Sequence, residues 1–184
     1  MKSFLRDELK KYFLFYKTKY PASLQKRNSL IINNLYNYLS SSQFYKIAIY
    51  TPLQFEPDIL AIKEKFNPEK EFLYPKGILK TSPLVFVSAL DQKTEKDCFG
   101  MTVPSSNKNE KPDLVIFPCV AFDLFGYRLG SGSGAYDRIF QTLECKKMIV
   151  AFDFQCLREL PREQHDIRSD LICTESGISV GREL

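Results

Sequence analysis

The sequence has a single histidine, His165, and no Cys-x-x-C pair among its five cysteines, Cys98, Cys119, Cys145, Cys156 and Cys173. One imidazole and scattered thiols argue against a zinc site, and an odd cysteine count fits reduced, buried thiols better than a disulfide framework. No apolar run approaches the roughly 18 residues of a membrane-spanning helix. The opening residues, MKSFLRDELKKY, are charged at short intervals and contain no signal-peptide core. A cytoplasmic protein without a membrane partner is the expectation. Excess charge is also small: the net is +4, with Lys and Arg dense in the first 27 residues. That balance suits an anionic small molecule and is too modest to demand nucleic acid.

The 184 residues suit one domain spanning 1–184, and 44% hydrophobic residues, with 14% aromatics, suffice for a real core. Leu5, Leu9, Tyr12, Phe13 and Tyr16 recur at helical spacing and predict a helix over 3–17 with that stripe buried. Pro21 ends this segment, and Ser23 is placed to cap a second helix through Leu39, with Leu30, Ile31, Leu35, Tyr38 and Leu39 inward. Lys46 to Tyr50 reads as a strand, and Pro57 opens a further helix with Ile59, Leu60, Ile62 and Phe66 inward. Strands are predicted over 71–75, 84–90, 113–118, 148–153 and near 170–174, with short helices over 135–143 and 154–160. The polar stretch 91–111 reads as a long surface loop. Strands alternating with helices and carrying continuous apolar runs predict a three-layer α/β domain. Its central sheet is largely parallel or mixed, with helices on both faces.

Glycine is scarce, 8 residues in all, yet three alternate within one short stretch, Gly130, Gly132 and Gly134. The surrounding run, Pro118 to Arg138, reads PCVAFDLFGYRLGSGSGAYDR. Glycines at every second position remove the Cβ atoms that hold a ligand off the backbone, so successive N–H groups can turn towards one anion. Arg128 flanks the cradle, and Asp137 offers a hard oxygen suited to Mg²⁺. The loop is neither a Walker loop, which ends in Gly-Lys-Ser/Thr, nor a dinucleotide loop, whose spacing is G-x-G-x-x-G. Lys2 and Arg6 stand one helical turn apart and can grip one polyanion. Glu56 follows the first strand, where α/β proteins commonly bind ligands. On these residues alone the stretch is a phosphate cradle with a candidate metal ligand, open to a sugar-phosphate or acyl-transfer enzyme and to a basic nucleic-acid-binding module.

The run from Pro118 to Arg138 resembles the signature of the 5-formyltetrahydrofolate cyclo-ligases, with Pro, Phe-Asp, Gly, Arg-Leu-Gly, alternating glycines and Tyr-Asp-Arg in the same order. Lys2-x-x-Leu5-Arg6, Glu56-x-Asp58 and Thr174-Glu175 resemble further landmarks of that family. The resemblance implies an enzyme using ATP and Mg²⁺ to convert 5-formyltetrahydrofolate into 5,10-methenyltetrahydrofolate, with release of ADP and phosphate. It implies ATP contacts from Lys2, Arg6, Arg128, Leu129, Gly130, Ser131, Gly132, Ser133, Gly134, Ala135 and Tyr136. Of these, Lys2, Arg6 and Arg128 would stabilise the transition state, without a protein nucleophile. Thr51, Glu56 and Tyr136 would contact the folate, and Asp137 and Asp166 would bind Mg²⁺. Small-molecule substrates only, no nucleic acid, and a monomer are expected. The chain departs from the family pattern at Ala135, where a first tyrosine is usual, at Ser131 and Ser133, and at Val103-Pro104 and Ile59.

Overall fold

The computed structural model describes residues 2–66, 68–89 and 93–182. Two long helices come first, α1 (Lys2–Lys19) and α2 (Pro21–Ser40), followed by β1 (Lys46–Ala48) and a single helical turn, α3 (Ile62–Lys65). Next are β2 (Glu71–Lys76), β3 (Val85–Ser88), β4 (Thr94–Lys96), β5 (Thr102–Pro104), β6 (Leu114–Pro118), β7 (Ala121–Asp123) and β8 (Arg128–Leu129). The chain closes with α4 (Ala135–Phe140), β9 (Lys146–Val150), a 3₁₀ turn at Asp153–Gln155, β10 (Cys156–Leu157), β11 (Leu171–Thr174) and β12 (Gly177–Val180).

Seven strands form the main sheet in the order β12-β11-β9-β6-β1-β2-β3. The five inner strands pair in parallel, and each edge, β3 on β2 and β12 on β11, is antiparallel. Side chains alternate across the sheet with a period of two. Ile47, Ile49, Leu114, Ile116, Met148, Val150 and Cys173 face one side, where Ile31, Leu35 and Leu39 of α2 and Ile62 and Phe66 around α3 cover them. Ala48, Val115, Phe117, Ile149, Ala151 and Ile172 face the other, beneath Phe140 of α4 and Phe122 of β7. The architecture is therefore the expected mixed α/β one with helices on both faces. A small sheet, β10-β7-β8, contributes to the second layer.

The differences from expectation have local causes. Pro21 opens α2 at its first position and Tyr20 is the flanking residue, so Ser23 lies inside the helix and caps nothing. Within α1 only Phe13 is buried and Tyr12 is half exposed, while Leu5 and Leu9 are partly buried against Ala121, Leu129 and Leu160. Leu30 of α2 is likewise exposed. Pro57 starts no helix, and the segment to Ala61 is irregular although Ile59 is fully buried. The stretch read as a long loop contains the β4–β5 hairpin, and its sequence hides this because every β4 side chain is exposed and polar. Residues 154–160 form no helix beyond the 3₁₀ turn, and β12 follows the strand that the sequence places last. Leu90, at the end of the predicted 84–90 strand, lies outside the described residues.

Candidate active site

Parallel strands end on one side of a sheet, and ligands in such folds bind beyond those carboxyl ends. Here β1 delivers Tyr50 and Thr51 there, β6 delivers Pro118, and the β7–β8 hairpin turns the chain into the glycine loop. That hairpin is fixed by Asp123, which is fully buried. Its Oδ1 accepts hydrogen bonds from the Phe125 and Tyr127 amides, both at 3.0 Å.

Arg128 leaves this hairpin and turns inward, its side chain only 5% exposed. Its Nη2 donates to Asp137 Oδ1 at 2.9 Å, and the guanidinium carbon lies 5.2 and 5.6 Å from the ring centres of Phe117 and Tyr136. A Cβ at Gly130 would collide with Arg128 Nη1, so any larger residue there obliges the guanidinium to move. Gly132 sits at φ +113°, and the Arg6 guanidinium approaches within 3.2 Å of where its Cβ would be. Arg6 Nε donates to the Gly130 carbonyl at 2.8 Å, so α1 is tied to the loop it faces. Lys2, one turn earlier, donates to Asp166 Oδ2 at 2.6 Å and lies 3.3 Å from Glu163. Among the described residues the buried Arg128 Nε has no hydrogen-bond partner, which leaves a charged donor beside the loop unanswered there.

These groups surround a cavity of about 240 Å³. Of the residues expected at ATP and metal, Lys2, Arg6, Arg128 through Asp137 and Asp166 all line it, together with Glu56. The helix after the loop has only six residues, so the anion-binding character of this cavity comes from loop amides and cations more than from a helix dipole. Sequence reasoning missed Ser3, Glu163 and His165, which also line the cavity. His165 stands beside Asp166 in sequence, and that adjacency is the available signal. Ligand atoms of Glu163, His165 and Asp166 lie within 4.8 Å of one another.

A second cavity, of about 290 Å³, adjoins the first and shares Glu56, Pro118, Ser131, Ser133, Ala135 and Tyr136 with it. Thr51 lines this one and not the first. Its remaining wall is largely apolar: Tyr50, Leu53, Pro75, Leu84, Phe99, Met101 and Val103, with Asp97. The hairpin β4–β5 therefore contributes a wall that no sequence pattern announced. Three bonds to Asp97 fix its turn, from the amides of Gly77, Phe99 and Met101, at 3.0, 2.9 and 2.9 Å. Ala135 lines both cavities, and the aromatic walls come from Tyr136 and Phe99 instead.

Glu56 stands where the cavities meet. Burial pushes its carboxyl from 4.5 up to about 7, against the Leu53 amide it accepts from at 2.8 Å and the pull of Lys10. The same burial raises the phenols of Tyr136 and Tyr50.

Fold and site together define an α/β protein with a cationic, glycine-lined cradle opening onto an apolar cleft. A model of the 5-formyltetrahydrofolate cyclo-ligase family matches residues 1–175, and the chain belongs to that family. It is 41% identical over 69 residues to the 5-formyltetrahydrofolate cyclo-ligase of Escherichia coli, an alignment covering 36% of this chain and 38% of that protein. The structure superposes on the 5,10-methenyltetrahydrofolate synthetase of Aquifex aeolicus with a TM-score of 0.79 at 30% identity, covering 98% of this chain and 94% of that one. The synthetase of Mycoplasma pneumoniae shares the fold, with a TM-score of 0.72 at 23% identity over 92% of this chain and 98% of that one. No helix among the described residues is long and apolar enough to cross a membrane.

Proposed function

We propose that this chain is a 5-formyltetrahydrofolate cyclo-ligase, working as one domain over residues 1–184 and as a monomer in the cytoplasm. It converts 5-formyltetrahydrofolate and ATP into 5,10-methenyltetrahydrofolate, ADP and phosphate. The observation that carries this reading is the pair of adjoining cavities, one cationic and one apolar, with Glu56, Ala135 and Tyr136 as common wall. Two substrates seated there meet at that wall, and phosphoryl transfer needs such positioning more than it needs a protein nucleophile.

In the cationic cavity the amides of Arg128 to Tyr136 hold the triphosphate, and Lys2, Arg6 and Arg128 neutralise it. Asp137 and Asp166 fit a hard cation. Each is a carboxylate on this cavity with one oxygen engaged, by Arg128 and Lys2 respectively. Among the described residues, Asp137 Oδ2 and Asp166 Oδ1 have no hydrogen-bond donor. Bound Mg²⁺ supplies positive charge against the phosphoryl group being transferred. In the apolar cavity Thr51, Glu56 and Tyr136 contact the folate. With its carboxyl near 7, Glu56 can present either a proton or a charge to the polar pterin edge.

The formyl oxygen attacks the γ-phosphorus and the bond to ADP breaks. The N5 lone pair stabilises the resulting formyl phosphate as an iminium, N10 attacks its carbon and loses its proton, and phosphate departs. Arg128 is held against Phe117 and Tyr136 and needs no reorganisation to meet charge that develops beside it. Incubating the chain with 5-formyltetrahydrofolate and ATP, with and without Mg²⁺, tests this reading. Methenyl absorbance should appear only in the complete mixture, and its failure to appear there refutes the assignment.

A further inference from the structure

The acids Glu163 and Asp166 lie on a segment, 158–166, that has no regular secondary structure to hold it. Two short bonds within it, from the Glu163 amide to Asp166 Oδ2 at 2.7 Å and from the Asp166 amide to the Glu163 carbonyl at 3.0 Å, shape the turn without fixing where it stands. Lys2 holds its acids towards α1, with Asp166 Oδ2 at 2.6 Å, and Arg162 holds the segment to the β7–β8 turn. Its guanidinium carbon lies 4.9 Å from the Phe125 ring centre and 4.4 Å from that of Tyr127, the two aromatics of the β7–β8 turn. Its Nη2 reaches Asp123 Oδ2 at 3.5 Å, and the same oxygen accepts from the Leu160 amide at 3.2 Å. Asp123 is fully buried and spends its other oxygen on the turn itself. One carboxylate thus ties the β7–β8 turn, which leads into Arg128 and the glycine loop, to the segment that carries Glu163 and Asp166. A carboxylate buried this completely is costly unless its partners are all present.

We propose that Arg162, clamped on Asp123, Phe125 and Tyr127, is a positioning residue that sets the distance between the acidic segment and the glycine loop. It thereby governs Mg²⁺-nucleotide affinity without touching the nucleotide. The inference rests on the reading of the cationic cavity as the Mg²⁺-ATP side. Arg162 does not line either cavity, so its effect has to travel through the segment.

The test is calorimetric titration of the whole chain with Mg²⁺-ATP and, separately, with 5-formyltetrahydrofolate, alongside thermal melting, for the parent, Arg162→Gln and Arg162→Lys. Arg162→Gln should weaken Mg²⁺-ATP binding by about tenfold or more, the scale of losing a partner that orients metal ligands. It should also raise the Mg²⁺ concentration needed for half-saturation, while folate affinity stays within about twofold. Arg162→Lys keeps the charge near Asp123 but loses the flat face, and should fall between the two. If Arg162→Gln does not fold, the comparison of parent with Arg162→Lys decides. Unchanged Mg²⁺-ATP affinity in a folded variant overturns the proposal, as does an equal loss for both ligands accompanied by a lowered melting temperature. A parent chain that fails to bind Mg²⁺-ATP refutes the reading of the cavity and the positioning role with it. Parent binding with unaffected variants refutes only the positioning role.

Discussion

Replacing Asp137 by alanine should cost the fold as well as the activity, and the structure sets the size of that cost. The Arg128 side chain is 5% exposed and Asp137 is 18% exposed, and the bond between them is 2.9 Å long. Among the described residues Arg128 Nε is without a partner and Asp137 is the carboxylate that answers the buried charge. Removing one member of a buried pair typically costs about 3–5 kcal/mol. The lower end applies because water reaches Asp137 and would enter the vacated space, so about 3 kcal/mol is expected. For a chain of this size each kcal/mol lowers the melting temperature by about 2–4 °C, which gives a fall of roughly 6–12 °C. Melting followed by far-ultraviolet circular dichroism, without nucleotide, measures it. The double variant Arg128→Met/Asp137→Ala removes the stranded charge and leaves an apolar side chain against Phe117 and Tyr136. It should recover at least half of the loss. Asp137→Ala melting within about 2 °C of the parent, or a double variant no more stable than the single one, would refute the buried-pair reasoning. Activity lost in Asp137→Ala is interpretable only beside this measurement.

Three other outcomes follow from the same geometry. Glu56 titrates near 7 in the folded protein and near 4.5 unfolded, so the folded state holds the extra proton between those values and stability falls as pH rises through that window. Glu56→Gln should remove the fall, seen as a melting difference from the parent that grows from pH 4.5 to 7; a pH-independent difference contradicts the raised carboxyl. Gly130→Ala places a methyl against Arg128 Nη1 and should weaken ATP binding by about tenfold or more, since the guanidinium has to move; unchanged affinity by calorimetry means the loop yields instead. Lys76 is buried, paired with Glu95 at 2.6 Å and bonded to the Ser106 carbonyl and Asn107. Lys76→Met should loosen the β4–β5 hairpin, raising KM for the folate while leaving KM for ATP within about twofold, because only the apolar cavity uses that hairpin.

The parallel core was legible because β6, most of β11 and the later residues of β1 and β9 are buried and apolar, so each strand shows a short apolar run. The strands that escaped notice, β4, β5, β7, β8, β10 and β12, are two to four residues long, too short for any period to show. Burial of α1 was overstated because a helical stripe reveals a face and not how much of it a partner covers. The glycine loop with Arg128 and Asp137 announced itself because its chemistry is local in sequence. Lys2, Glu56 and Asp166 join it only through the fold: local spacing marked Lys2 and Glu56 as candidates without linking them to the loop, and Asp166 came from family resemblance alone. Phe99 and Met101 had no signal at all, since apolar residues in a polar stretch look like any others. The pairing of Asp137 with Arg128 was equally hidden, and it changes what a substitution there means.

The most direct measurement follows methenyl formation and ADP release together in one reaction mixture of the chain, 5-formyltetrahydrofolate, ATP and Mg²⁺. The two products should rise in equal amounts, and neither should rise when either substrate is left out. Methenyl formation without ADP, or ADP release indifferent to the folate, would contradict coupled chemistry across the wall that the two cavities share.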